Sequence, residues 1–216
     1  MNTVLITGTS RGIGKALKDV FEKRGACVIG YQRNELGDIR DFETIKKLEV
    51  IAQEKNVNIL INNAGVYSEE TMLETSLAEI REIIEVNLLA PMLLTKALWP
   101  TLIKQHGTLI NINSIAGRLP NEGELAYRSS KFGLTGFSGA LFYAGKIDGV
   151  RVIDIPFAAV DTDMVKNRPR SGDNVMPSPL SAAKLVLQVL DNHDLVEIES
   201  NLLGGKIIDN GRVLNG

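Results

Sequence analysis

The feature that most narrows what this chain can fold into is "VLITGTSRGIG", Val4 to Gly14. An apolar run that reads as a strand passes directly into glycines at 8, 12 and 14, and then into a segment of helical period. Glycine permits positive φ and carries no Cβ, so such a turn lets an anion reach backbone N–H groups and the positive end of the following helix. A glycine-rich turn alone says little. One that joins a strand to a helix at the head of a longer strand and helix alternation points to a dinucleotide phosphate, with Gly8, Ser10, Arg11, Gly12, Ile13 and Gly14 around it.

The alternation continues. Val4–Ile6, Cys27–Ile29, Ile59–Ile61, Leu109–Ile112, Val150–Ile155 and Ile207–Ile208 are strand candidates, and their uniform apolarity argues for a parallel sheet covered on both faces. Between them, Ile13, Leu17, Val20 and Phe21 mark one helix face, Ile45, Leu48 and Ile51 another, and Ala182, Leu185, Val186 and Val189 a third. The pattern predicts a doubly wound, Rossmann-type α/β fold, with a mostly parallel sheet and helices on both faces. With 216 residues, 44% of them hydrophobic, the chain suits one domain over residues 1–216 with one large core.

Two longer helical segments, roughly Leu77 to Lys104 and Leu125 to Lys146, carry apolar residues on more than one face, which points to a homodimer or homotetramer. The most apolar window, Val86 to Ile103, is interrupted by Asn87, Pro91, Thr95, Lys96 and Pro100 and reads as a core helix, not a membrane span. Near the C-terminus, Asn210-Gly211 between two apolar pairs has the form of a two-residue hairpin turn.

Charge narrows the partners. Lys and Arg total 24 against 26 Asp and Glu, so a net charge of -2 offers no broad attraction to nucleic acid or to an anionic membrane surface, and a small molecule is expected. Cys27, the single cysteine, lies in an apolar run and reads as a small core residue in a reducing compartment. Met1 leads straight into a strand pattern with no charged, cleavable leader, so a cytoplasmic location is expected.

In dinucleotide-binding folds, an Asp or Glu about twenty residues beyond the glycines accepts from the adenine ribose hydroxyl, whereas an Arg accommodates a 2′-phosphate. Here that position is Arg33, at the end of Gly30-Tyr31-Gln32-Arg33, and the first carboxylate is Glu35. Arg11 projects from the glycine loop toward the same region, and two guanidiniums can hold a phosphate through forked hydrogen bonds. NADP(H) is favoured over NAD(H). Glu35 keeps NAD(H) open, and a solvated loop charge is the plainer reading of Arg33.

The second constellation is "INSIAG" followed by "YRSSK", with Tyr127 thirteen residues beyond Ser114. Positions i and i+4 share a helix face, so Tyr127 and Lys131 can meet at one site. An ammonium beside a phenol favours the phenolate and makes the phenol a better acid near neutral pH, which suits carbonyl reduction.

With these pieces the chain resembles the short-chain dehydrogenase/reductase family over nearly its whole length. The matching segments are Thr7-Gly8-x-x-x-Gly12-x-Gly14, Asp38-Ile39, "NNAG" at Asn62 to Gly65, Asn87, Ser114, Tyr127-x-x-x-Lys131 and "VDTDM" at Val160 to Met164, in family order. The resemblance implies that Tyr127 donates the proton, Ser114 orients the carbonyl, Lys131 holds the nicotinamide ribose and tunes Tyr127, and Asn87 bends its helix and holds a relay water. It places Asp38 and Ile39 by the adenine, Asn63, Ala64 and Gly65 along the cofactor, and Val160 and Thr162 at the carboxamide. "YRSSK", "VDTDM", "SPLSAAKLVLQVLDN" and "GGKIIDNGRVLNG" look like the branch of C-factor-like carbonyl reductases. Pro156-Phe157-Ala158-Ala159 departs from the Pro-Gly that the family usually has after this strand.

Other polar residues carry less. Asp161 and Asp163 read as loop or cap residues, and His106 and His193 stand without ligand spacing, so no metal is expected. Lys166, Arg168 and Arg170, in the loop Lys166 to Pro179, are solvated charges or a lid that meets an anionic substrate. The expected activity is hydride transfer between NADP(H) and a carbonyl or alcohol carbon, with Tyr127 as general acid/base. A nucleotide-sensing or signalling protein that keeps the fold, and an NAD-dependent alcohol dehydrogenase, are the alternatives. One segment looks shortened: only Asn34 to Gly37 separate Arg33 from Asp38, where the family inserts a helix and another strand. That helix is expected to be absent, and the third strand reduced to a few residues around Glu35 to Ile39, bringing the adenine end nearer to solvent.

Overall fold

A computed structural model describes residues 1–166 and 176–192, with three short strands beyond them. Five strands, β1 (Thr3–Thr7), β2 (Cys27–Tyr31), β3 (Ile59–Asn62), β4 (Thr108–Ser114) and β5 (Arg151–Phe157), form one parallel sheet in the order β2-β1-β3-β4-β5. The order reverses direction at β1, which opens a crevice at the carboxyl ends of the strands. The helices are α1 (Gly12–Lys23), a single turn α2 (Arg33–Leu36), α3 (Phe42–Glu54), α4 (Leu77–Ile84), α5 (Ala90–Lys104), α6 (Leu125–Asp148) and α7 (Pro179–Asp191).

The period-two alternation of strand side chains divides the core between two faces. Val4, Ile6, Ile59, Ile61, Ile110, Ile112, Ile153 and Ile155 point toward α1 and α7, where Leu17, Phe21, Ala183 and Val186 meet them. Leu5, Leu60, Leu109 and Val152 point the other way, onto Ile45 and Leu48 of α3 and Leu94, Leu98 and Leu102 of α5. The doubly wound reading therefore holds, and the run of residues 77–104 is a partly buried layer of it. Its 28 residues are long and apolar enough to cross a membrane by length and composition alone, yet Leu94, Leu98 and Leu102 are wholly buried against the sheet.

Three expectations are corrected. No strand forms around residues 35–39: the Glu35 and Leu36 amides bond to the Gln32 carbonyl and the Gly37 amide to Arg33, closing one helical turn. Gly37, at φ 104, ends that turn, and β3 pairs directly with β1, so among the described residues the parallel sheet ends at β2. The full helix is absent as expected. Cys27 is exposed because it is the first residue of that edge strand. Ile207–Ile208 does not extend the parallel sheet: β7 (Ile207–Asp209) pairs antiparallel with β6 (Ile198–Glu199) and β8 (Arg212–Leu214). The hairpin turn expected at Asn210-Gly211 falls on residues outside those described, as do His193, Arg168 and Arg170.

Leu94 is 0% exposed and anchors α5 to the sheet. Leu94→Ala should lower unfolding free energy by about 2–5 kcal/mol, read as a lower urea midpoint at unchanged slope.

Candidate active site

A cleft of about 520 Å³ lies at the carboxyl ends of the parallel strands. Every residue expected to bind the cofactor, together with Ser114, Tyr127 and Lys131, lines it; Asn87 sits behind the wall. Arg33, Asp38 and Ile39 occupy one end, the glycine loop the middle, and Ser114, Tyr127 and Lys131 the other end.

The glycine loop has little freedom. Gly8 and Gly12 have φ of 76° and 58°, in the left-handed region, and a Cβ on Gly14 would lie 2.1 Å from the Gly8 carbonyl oxygen. Asn63 fastens the neighbouring loop to it, Nδ2 donating to the Thr7 and Gly8 carbonyls at 2.8 and 3.1 Å, while the Thr7 hydroxyl oxygen accepts from the Asn63 and Ala64 amides at 2.9 and 3.0 Å. No side chain caps the first turn of α1, and that turn holds no acidic residue, so its N–H groups face the cleft available to an anion. These residues fit a dinucleotide pyrophosphate. Val160 is buried and Thr162 borders the loop, its methyl 3.3 Å from where a Cβ of Gly12 would stand, so both reach the cleft despite the Phe157-Ala158 departure.

At the Arg33 end the side chains are already paired. Arg33 meets Asp38 at 2.6 Å, and Arg40 forks onto both oxygens of the same carboxylate at 3.0 and 2.7 Å. The Arg40 fork, with Arg33 behind it, holds the Asp38 carboxyl down to about 2. Arg40 also reaches Glu85 at 3.7 Å. Its position two residues beyond Asp38 was the available sequence signal, but only the fold shows that the chain doubles back there. Arg33 remains largely exposed, at 66%, and Arg11 lies 4.0 Å from Asp163 with its guanidinium in solvent. Tyr31 is buried beneath this end, donating to the Gly37 carbonyl at 2.7 Å, and burial pushes its phenol up to about 12.

At the other end, α6 carries Tyr127 and Lys131 one turn apart over β4. Lys131 is 6% exposed and donates from Nζ to the Ile112 carbonyl at 3.2 Å, with Nζ 5.8 Å from the centre of the Tyr127 ring. Burial pushes its ammonium down to about 8, against the opposing pull of Asp154. Ser114 closes β4, and its hydroxyl oxygen accepts from the Ala116 amide at 3.1 Å. Between α4 and α5 the backbone makes a π-helical segment, Glu85–Leu89, and Asn87 lies within it. Its amide bonds both ways to Val66, at 2.8 and 2.9 Å, and donates at 3.1 Å to the Ser130 hydroxyl, which itself donates to the Tyr127 carbonyl at 2.6 Å. Asn87 thus joins three segments behind the cleft from within the π segment.

Three neighbours of Tyr127 had no sequence signal of their own. Tyr67 packs edge-on against its ring at 4.9 Å and donates at 2.6 Å to Glu124, whose carboxylate pairs at 2.5 Å with Arg128. Glu124 is buried with φ 52°, a left-handed backbone held at the start of α6 by these contacts.

Comparison with known proteins agrees with this geometry. A family model described as short chain dehydrogenase matches residues 36–172. The 3-oxoacyl-[acyl-carrier-protein] reductase of Escherichia coli (strain K12) is 32% identical over 182 residues, covering 75% of this chain and 75% of the relative. The protein of the same name from Haemophilus influenzae is 32% identical over 207 residues, covering 83% and 85%. Among solved structures, a short chain dehydrogenase from Burkholderia cenocepacia J2315 in complex with NADP superposes with TM-score 0.82 at 26% identity, over 91% of this chain and 86% of that one. A 4-hydroxyisoleucine dehydrogenase complexed with NADH, at 23% identity and TM-score 0.78 over 88% and 90% of the two chains, shares the fold.

Holding an ammonium in this position has a cost that can be measured. Because the folded value is about 8 and the ordinary value 10.5, the unfolded chain retains a proton in that window that the folded chain has released. Stability of the parent relative to Lys131→Met should therefore climb as pH rises through the window and be level below it. Urea unfolding of both proteins at a series of pH values reads this directly, and a difference that stays flat across the window would contradict it.

Proposed function

The chain belongs to the short chain dehydrogenase family, and on that premise we propose that it is an NADP(H)-dependent oxidoreductase that reduces a carbonyl group to an alcohol. The observation that carries the reading is the convergence of Ser114, Tyr127 and Lys131 at one end of a cleft whose other end presents Arg33. NADPH bound along the glycine loop would supply the hydride.

The remaining work falls to side chains of the protein. The Ser114 hydroxyl donates to the substrate oxygen and fixes its direction, and the Tyr127 hydroxyl gives that oxygen the proton that completes the alcohol. Lys131, an ammonium close to the Tyr127 ring and shielded from water, favours negative charge on the phenol and holds the ribose hydroxyls of the nicotinamide side. Asn87 orders the segment behind Tyr127 through Val66 and Ser130. Val160 and Thr162 border the carboxamide, and Asp38 and Ile39 the adenine. The 3-oxoacyl reductases among the relatives make 3-oxoacyl thioesters the first substrates to try. The C-factor-like branch rests on the quoted segments alone.

Exposed apolar side chains on α5 and α6, among them Met92, Ile103, Phe132, Tyr143 and Ile147, support a homodimer or homotetramer. The reading includes a cytoplasmic location, consistent with a lone thiol.

Tyr127→Phe should lower turnover at least about 100-fold while NADPH affinity, measured by fluorescence titration, changes less than about twofold; undiminished turnover would refute the proton donor. Arg33→Ala should weaken NADPH binding by about tenfold or more and leave NADH binding nearly unchanged. An equal response of the two cofactors would refute the phosphate contact and favour the NAD-dependent reading. Bound NADPH with no reduction across a panel of aldehydes, ketones, quinones and 3-oxoacyl thioesters would favour nucleotide sensing instead.

A further inference from the structure

On the face of β4 and β5 that α6 covers, the strand pattern changes character toward the cleft. Leu109 and Val152 are followed, two and four residues on, by Asn111, Asn113 and Asp154, all under the helix. The register sets Asn62, Asn111 and Asp154 side by side on three adjacent strands. Hydrogen bonds run along this row: Asn62 Nδ2 donates to Asn111 Oδ1 at 2.9 Å, Asn111 Nδ2 to the Ser138 hydroxyl at 2.8 Å, and Ser138 to Asp154 Oδ1 at 3.1 Å. The row ends on a carboxylate whose side chain is 11% exposed.

That carboxylate is tied to two members of the proposed site. Asn113 Nδ2 donates to both Asp154 oxygens, at 3.0 and 3.2 Å, while Asn113 Oδ1 accepts from the Ser114 amide at 2.9 Å. One residue earlier on β4, the Ile112 carbonyl receives Lys131 Nζ, and one turn after Lys131 the Thr135 hydroxyl accepts from the same Asn113 amide at 3.0 Å. The charged groups that face Asp154 are Arg118, 3.8 Å away in the turn after β4, and Lys131 on α6; Asn111, Asn113 and Ser138 are uncharged. Burial pushes the Asp154 carboxyl up, and Asn113, Ser138, Arg118 and Lys131 pull it back.

We propose that Asp154 is a positioning residue of this site, fixing Asn113 beneath Ser114 and serving as counter-charge to the buried Lys131 ammonium. The proposal rests on the oxidoreductase reading for its kinetic consequence, but not for its electrostatic one. An amide at position 154 keeps one oxygen for Asn113 and Ser138, both of which bond Oδ1, and gives up the charge together with the acceptor that faces Arg118, so Asp154→Asn preserves shape and the Oδ1 bonds while removing the charge.

In Asp154→Asn, NADPH affinity should stay within about twofold, kcat should fall about tenfold or more, and Lys131 Nζ should titrate about one pH unit lower. The titration is followed by NMR of lysine-labelled protein, assigned against Lys131→Met, and needs no turnover. A kcat within twofold of the parent together with an unmoved Lys131 titration would overturn the proposal. If the parent itself reduces no carbonyl, the oxidoreductase reading falls and the titration alone decides: displacement supports the counter-charge, no displacement refutes it. Should Asp154→Asn not fold, Asn113→Ala tests the Ser114 limb, with the carbonyl KM rising and kcat falling about tenfold at an unmoved Lys131 titration; unchanged constants would refute that limb.

Discussion

An amine held out of water at the floor of a cleft is the constraint on which much of this structure turns. Lys131 cannot be buried by apolar packing alone, because an ammonium without partners is far costlier than a void. The Ile112 carbonyl receives it one residue beyond Asn111, the last β4 residue paired with β3. Asp154 lies on the adjoining strand, and α6 extends over 24 residues so that its first turns cover the site while its middle packs on β4 and β5. The polar residues under α6 would be anomalous in an ordinary α/β core. Here they bond to one another in a row that ends on Asp154.

The same logic explains the gradient along the strands. Their beginnings are apolar on both faces, and their ends become polar on one: Leu60 gives way to Asn62, Leu109 to Asn111 and Asn113, Val152 to Asp154. Stability is concentrated at one end of the sheet and chemistry at the other. Asn62 bonds its register partner Asn111, while Asn111 reaches Ser138 on α6 and Asn113 reaches Asp154 diagonally on β5, so each side chain finds a polar neighbour. Asn87 does the equivalent for the backbone, since the π segment that departs from regular helical bonding is held by an amide that bonds both ways to Val66.

Much of this was legible in the sequence, for reasons that differ by element. The strands β1 to β5 and the helices α1, α3, α6 and α7 were readable because burial on two faces imposes apolar runs and a 3.6-residue period that survive without knowledge of neighbours. The glycine loop and the Tyr127, Lys131 pair were readable because sterics and helix geometry fix their spacing locally. Cys27 was misread because an edge position cannot be told from a central one until strand order is known. The expected strand near Ile39 failed because Gln32 and Arg33 carbonyls capture the amides that a strand would need. Arg40, Tyr67, Glu124 and Asp154 gained their significance through contacts the fold creates, and no local pattern announces such contacts.

The shortened connection after β2 has a consequence beyond the nucleotide. A sheet that ends early leaves the outer backbone groups of its last strand unmatched by any further strand of its own kind, and such a border invites strand addition from another chain. Here the border is five residues long, contains Gly30, and runs at once into a charged helical turn. Economy of fold is thereby linked to colloidal behaviour: what the missing strand would have sheltered is guarded by brevity and by the charges that follow.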